Sequence, residues 1–201
     1  MKAPVEFWFD FVSPYAYIAA QSIEQLAVRH GREVSWKPML LGAVFKVTGS
    51  SPLTMRPSQM ADYFKHDFLR SARYAGVPFV LPELFPIATQ NTSRVCLWLQ
   101  ETAPQRVGEF VRQVTRAYFS GPAALNDIDW LAAQIIAMGL DGTAAAAACD
   151  DTHYKEALKA QCGQAIEKGI FGAPWIIVDG ESFWGNDRLP QVEQWLAQGG
   201  F

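Results

Sequence analysis

No pair of cysteines in this sequence is spaced for chemistry. The three present, Cys96, Cys149 and Cys162, are odd in number and far apart, without zinc-ligand or redox-pair spacing, and read as buried free thiols. Long apolar runs are also missing. Nothing approaches the roughly 18 residues of a membrane-spanning helix, and the first ten residues carry Glu6 and Asp10 instead of a signal-peptide pattern. The expectation is a cytoplasmic protein with no membrane association. Charge of one sign is scarce too: 17 basic against 20 acidic side chains leave a net −3, which gives nucleic acid no general attraction and points to a small-molecule partner. Finally, there is no G-x-S-x-G, and His30, His66 and His153 sit in no motif, so a serine hydrolase ranks last among the enzyme classes.

What is present describes a globular chain. Half of the 201 residues are hydrophobic and 13% aromatic, enough for one large core or one domain with an inserted subdomain. Val5, Phe7 and Phe9 alternate with Glu6 and Trp8, a strand more buried on one face than the other. Apolar residues then recur with helical period at Tyr15, Ile18, Ala19, Ser22, Ile23 and Leu26, up to a stop at Gly31, which predicts one amphipathic helix. Glu33 to Met39 reads as a second strand, and a strand–helix–strand unit makes a right-handed parallel pair with ligand sites at the carboxyl ends of its strands.

From Leu41 to about Met138 a Gly/Ser/Pro stretch (Thr48 to Pro57) gives way to helical periodicity, as at Val107, Phe110, Val111, Val114 and Tyr118. The alanine run 144–148 has high helix propensity. A helix through Leu158 and Ala165 stops at Gly169, Trp175 to Val178 reads as a strand, Asp179-Gly180 as a hairpin turn, and Glu181 to Trp184 as the return strand. Leu189, Val192, Trp195 and Leu196 share one face of a last helix.

Three short segments carry chemical potential, and each also has a plain structural reading. Ser13-Pro14 is a standard helix start, Ser as N-cap and Pro at the first helical position; placed on the loop after the first strand, the same hydroxyl could donate to a bound thiolate. Gly172-Ala173-Pro174 is either a trans Pro at a strand start or a cis bond, in which case the N–H and C=O of Ala173 are free to pair with an extended, peptide-like ligand such as glutathione. Asn186-Asp187-Arg188 is either a turn with Asn186 or Asp187 as N-cap, or a mixed-charge grip for an α-amino and α-carboxylate group.

Phe9-Asp10-Phe11-Val12-Ser13-Pro14-Tyr15-Ala16-Tyr17, Gly169 to Pro174, and Phe183-Trp184-Gly185-Asn186-Asp187-Arg188-Leu189 together resemble the 2-hydroxychromene-2-carboxylate isomerase family, kin of the kappa-class glutathione transferases. The resemblance spans nearly the whole chain. It implies an α/β, thioredoxin-like (DsbA-like) fold, with residues 1-40 and 150-201 as the thioredoxin-like domain and 41-149 as an inserted all-helical subdomain. It also implies glutathione as cofactor, a cis bond before Pro174, and a tendency to form homodimers.

By the same resemblance Ser13 is the catalytic residue and faces the glutathione sulfur, Ala173 and Pro174 hold its cysteinyl part, and Asn186 and Asp187, assisted by Arg188, hold the γ-glutamyl end. Where disulfide oxidoreductases have C-P-x-C, this chain has Ser13-Pro14-Tyr15-Ala16, which removes dithiol chemistry. The stretch Lys46 to Gln59 departs from the family's pattern, with Ser50 and Ser51 after Gly49 and Arg56 as the nearest later cation. For the aromatic substrate, Phe11, Tyr15 and Trp175 are the candidate contacts, with Trp8 and Phe85 behind them. The implied reaction interconverts 2-hydroxychromene-2-carboxylate and trans-o-hydroxybenzylidenepyruvate, a step of naphthalene-type catabolism. A kappa-type transferase or peroxidase and a non-catalytic peptide-binding module are the alternatives.

Overall fold

The structure is a computed structural model and describes residues 2–201. Its centre is a four-stranded mixed sheet in the order β2-β1-β3-β4. Strand β1 (Val5–Phe9) pairs in parallel with β2 (Val34–Pro38), Val5 opposite Val34 and Phe9 opposite Pro38, and antiparallel with β3 (Trp175–Val178). Strand β4 (Glu181–Trp184) folds back on β3 through a tight turn in which Asp179 (φ 52°) and Gly180 (φ 91°) both adopt left-handed backbone, the geometry a two-residue hairpin asks for. Beneath this turn the buried Arg32 guanidinium holds the Asp179 carboxylate at 2.6 Å.

β1 is a central strand, and both of its faces are covered. Trp8 is therefore as buried as Phe7 and Phe9, its indole N–H reaching back to Glu6, and the alternation seen in the sequence does not separate inside from outside. Trp8 belongs to the core and not to a pocket.

The predicted helix over residues 15–26 is two, α1 (Pro14–Ala20) and α2 (Ile23–Arg29). Around Gln21 and Ser22 the hydrogen bonds tighten to i→i−3 spacing, Gln21 to Ile18 and Ser22 to Ala19, before Leu26 restarts the ladder on Ser22. The break leaves the buried stripe running from Ile18 to Leu26 on the same side, which is why periodicity alone reads straight through it.

Seven α-helices separate β2 from β3: α3 (Leu41–Thr48), α4 (Ser58–Tyr74), α5 (Gln90–Thr102), α6 (Val107–Ser120), α7 (Ile128–Ala137), α8 (Gly142–Ala148) and α9 (Thr152–Glu167). Asp127, Asp141 and Asp151 cap the last three, each carboxylate taking a first-turn N–H. The alanine helix α8 lies against α7 with Ala145 and Ala148 buried. α10 (Leu189–Gln198) closes the chain against α2 and β3. No helix among the described residues is long and apolar enough to cross a membrane.

Candidate functional site

The loop from β1 to α1 is shaped around Asp10 and Ser13. Ser13 N–H closes a turn onto the Asp10 carbonyl (2.9 Å), and the Asp10 carboxylate takes Val12 N–H (3.1 Å). Ser13 keeps extended backbone, so its Oγ accepts the N–H of Ala16 (3.2 Å) as an N-cap should. The same hydroxyl donates to the carbonyl of Ala173, 160 residues away, at 3.1 Å. Cap and long-range contact thus coexist, on a serine that is 5% exposed.

Across from Ser13, the Ala173-Pro174 bond is cis. The expectation that both Ala173 backbone groups are free requires correction. Its carbonyl is occupied by the Ser13 hydroxyl, and only its N–H lacks a partner among the described residues. Pro174 itself stands behind Ala173, its carbonyl held by the N–H of Gly185 at 3.0 Å.

Residues 186–188 form one turn of 3₁₀ helix between β4 and α10. α10 starts at Leu189 without any side-chain cap, so neither Asn186 nor Asp187 is used as one. Gly185 makes this possible. Its φ is 111°, and a Cβ there would collide with the Asp187 carboxylate. Arg188 pairs with its neighbour Asp187 at 3.1 Å.

These pieces line one cavity of about 1330 Å³. Ser13, Ala173, Asn186, Asp187 and Arg188 border it together, as do Tyr15 and Phe85. The opposite wall comes from α4 and from the stretch after β2, which brings Lys46, Ser50, Ser51 and Arg56 to the same space. Arg56 donates to Ser50 Oγ at 2.8 Å, while its Nε is buried without a partner. The signal for that wall is topological: like Ser13, these residues follow the carboxyl end of a parallel strand.

Tyr15 leans from α1 toward α4, its ring 5.1 Å from Phe68 and its hydroxyl donating to Asp67. Burial, and then the Asp67 carboxylate, push the phenol far above its usual range, so Tyr15 keeps its proton. Burial pushes Asp67 up as well, yet the hydrogen bonds from Tyr15 and Arg70 prevail and hold it below the usual carboxylate range.

Two expected substrate contacts are not in the cavity. Phe11 is fully buried, edge-on to Phe9 (5.0 Å) and Phe110 (5.9 Å), because it continues the inward set Phe7, Phe9 past the end of β1. Trp175 is packed on β3 under Phe171, ring centroids 4.9 Å apart. The aromatic groups that do face the cavity include Phe171 and Trp184, which sequence reasoning did not single out, along with Asp10 and Asp67. Among the described residues no histidine and no cysteine lines the cavity; the three thiols are buried elsewhere. The hydrolase alternative is left without a histidine base in this cavity, and the described lining carries no thiol of its own.

A family model for the DSBA-like thioredoxin domain matches residues 4–197. The chain is 30% identical over 197 residues to a 2-hydroxychromene-2-carboxylate isomerase of Pseudomonas putida, covering 96% of this chain and 94% of the relative. It is 29% identical over 206 residues to the glutathione S-transferase kappa 2 of Caenorhabditis elegans, covering 96% and 92%. Among solved structures, a 2-hydroxychromene-2-carboxylate isomerase superposes with a TM-score of 0.86 at 27% identity, over 96% of this chain and 94% of that one.

Proposed function

From the premise that the chain belongs to the DSBA-like thioredoxin family, we propose that it is a glutathione-dependent isomerase acting on hydroxychromene carboxylates or related ring-opened aromatic intermediates. One observation carries the reading. The helix-capping position that holds a cysteine in disulfide oxidoreductases is here a buried serine, opposite the Ala173 backbone, in a cavity with no thiol of its own. A site of that construction needs a thiol delivered from outside.

Glutathione fits what the cavity offers. The Ala173 N–H has no partner among the described residues and can take a peptide carbonyl, as in strand addition. Asp187 and Asp67 suit an α-ammonium group, and Lys46, Arg56 and Arg188 suit carboxylates. When bound, the cofactor supplies a thiolate nucleophile whose reversible addition to a conjugated double bond allows rotation about it, with no redox equivalent consumed.

The chain's own part is to hold and to polarise. Ser13 turns its O–H from the Ala173 carbonyl toward the sulfur and stabilises the anion by a charge-assisted hydrogen bond. Asn186 and Asp187, unused as helix caps, hold the γ-glutamyl end; Tyr15, locked as a phenol on Asp67, presents a fixed ring to the acceptor together with Phe85.

The kappa-class relatives favour a second reading on the same residues, transfer of glutathione to an electrophile. Titrating the protein with reduced glutathione tests the shared part: saturable binding is expected, and none at millimolar concentration would overturn it. Turnover of a hydroxychromene carboxylate with total free glutathione constant supports the isomerase; stoichiometric depletion would assign the transferase.

A further inference from the structure

Asp10 is the one carboxylate buried to 3% exposure among the described residues, and nothing in the reading above uses it. Its three hydrogen-bond donors come from three places. Oδ1 takes Val12 N–H (3.1 Å) from its own loop and the Thr89 hydroxyl (2.7 Å) from the start of α5, and Oδ2 takes Leu41 N–H (2.8 Å) from the start of α3. Its main-chain carbonyl holds Ser13 N–H. Asp10, Leu41 and Thr89 all border the cavity.

We infer that Asp10 is a positioning residue for Ser13: its carboxyl, by accepting from Val12, Leu41 and Thr89, ties the Ser13 loop to two other segments of the cavity wall, and so sets where the serine hydroxyl sits.

Thr89 is the telling partner. It occupies the N-cap of α5 yet makes no cap hydrogen bond to its own helix; its hydroxyl is given to a residue 79 positions away. A neutral amide at position 10 could not replace the carboxylate, since its NH₂ would face an N–H or an O–H on one side. All three donors to Asp10 are neutral, and the titratable groups that sense its charge, Tyr118 on α6 and Cys162 on α9, are both held neutral by burial. Burial pushes the Asp10 carboxyl above its ordinary value, and the bonds from Leu41, Thr89 and Val12 offset only part of that rise.

This inference rests on the glutathione reading, and a double-mutant cycle separates the two. Reduced glutathione is titrated calorimetrically into the wild type, Thr89→Val, Ser13→Ala and the double variant. Thr89→Val leaves the Asp10 side chain in place and removes one hydrogen bond to it, so affinity falls about tenfold in the wild-type background. In the Ser13→Ala background, where there is no hydroxyl left to position, the same change costs less than about twofold. Thr89→Ser, which keeps the donor, restores the affinity, and Asp10→Asn repeats the pattern of Thr89→Val where it folds. Losses that add, or a Thr89→Val protein that binds as the wild type does, would overturn the positioning role while leaving the cofactor reading in place. A wild type that binds no glutathione overturns both.

Discussion

Replacing Ser13 by alanine removes two hydrogen bonds that serve different ends, and the two losses can be read separately. The first is a helix cap, Ser13 Oγ accepting Ala16 N–H, worth about 1 kcal/mol. The second is the donation to the Ala173 carbonyl, which is left without a protein partner at a further cost of about 1 kcal/mol. Together they amount to about 2 kcal/mol, or a melting temperature lower by roughly 4–8 °C for a chain of this size. In the proposed glutathione complex the hydroxyl would exchange a neutral acceptor for an anionic one, so the expected net loss of thiolate stabilisation is the difference, about 1–2 kcal/mol or roughly tenfold in affinity. Calorimetry with reduced glutathione and with S-methylglutathione isolates that part, because the methylated sulfur cannot ionise. The expected result is a roughly tenfold weaker Kd for glutathione in Ser13→Ala and an unchanged one for the thioether. Equal losses for both ligands would show that Ser13 supports the fold of the site and does not serve the sulfur.

Asp187→Ala should raise the KM for glutathione about tenfold while leaving the limiting rate within about twofold, since the residue would bind a part of the cofactor remote from the reacting atom; steady-state kinetics at saturating acceptor checks it. Gly185→Ala, which forces φ 111° on an L-residue and drives a methyl into Asp187, should cost about 1–3 kcal/mol in denaturant unfolding and weaken glutathione binding; a neutral result would contradict the tight 185–187 geometry. Phe11→Ala should cost about 3–5 kcal/mol of stability, seen as a lower urea midpoint, with the affinity of the folded protein for its ligands kept. Asp179→Asn tests the hairpin anchor. Arg32 holds the Asp179 carboxyl below its ordinary value of 3.8, so the pair's contribution is complete above that pH and is lost as pH falls through the lower folded value. With the carboxylate half exposed, the variant should be weaker by no more than about 1 kcal/mol at pH 7, the gap should close as the pH falls below the folded value, and a gap unchanged through the acid titration would refute the ion pair as its source.

Local signals account for much of what was legible. Trp175–Val178, Asp179-Gly180 and Glu181–Trp184 are a hairpin because alternation and a left-handed turn pair act over a few residues. Ser13-Pro14 is a helix start for the same reason. The placement of Ser13, Ala173, Asn186, Asp187 and Arg188 on one cavity was reached through resemblance of motifs and not through spacing, since residues 13 and 173 have no local relation.

The sequence by itself determined the strands, the Ser13-Pro14 helix start, the Asp179-Gly180 turn, the absence of a redox pair at residues 13–16, and the likeness to the DsbA-like thioredoxin fold. Tertiary structure alone decided which side chains meet. It put Phe11 into the core as the continuation of the inward set Phe7, Phe9 past the end of β1, and Trp175 because β3 is a central strand on which outward positions are covered too. It brought Asp67 to Tyr15 across 52 residues and Thr89 to Asp10 across 79, and raised a cavity wall from Lys46 to Arg56. Periodicity and capping depend on neighbours within one turn, whereas a cavity depends on which surfaces are left over when distant segments pack, and no local pattern in the chain encodes that.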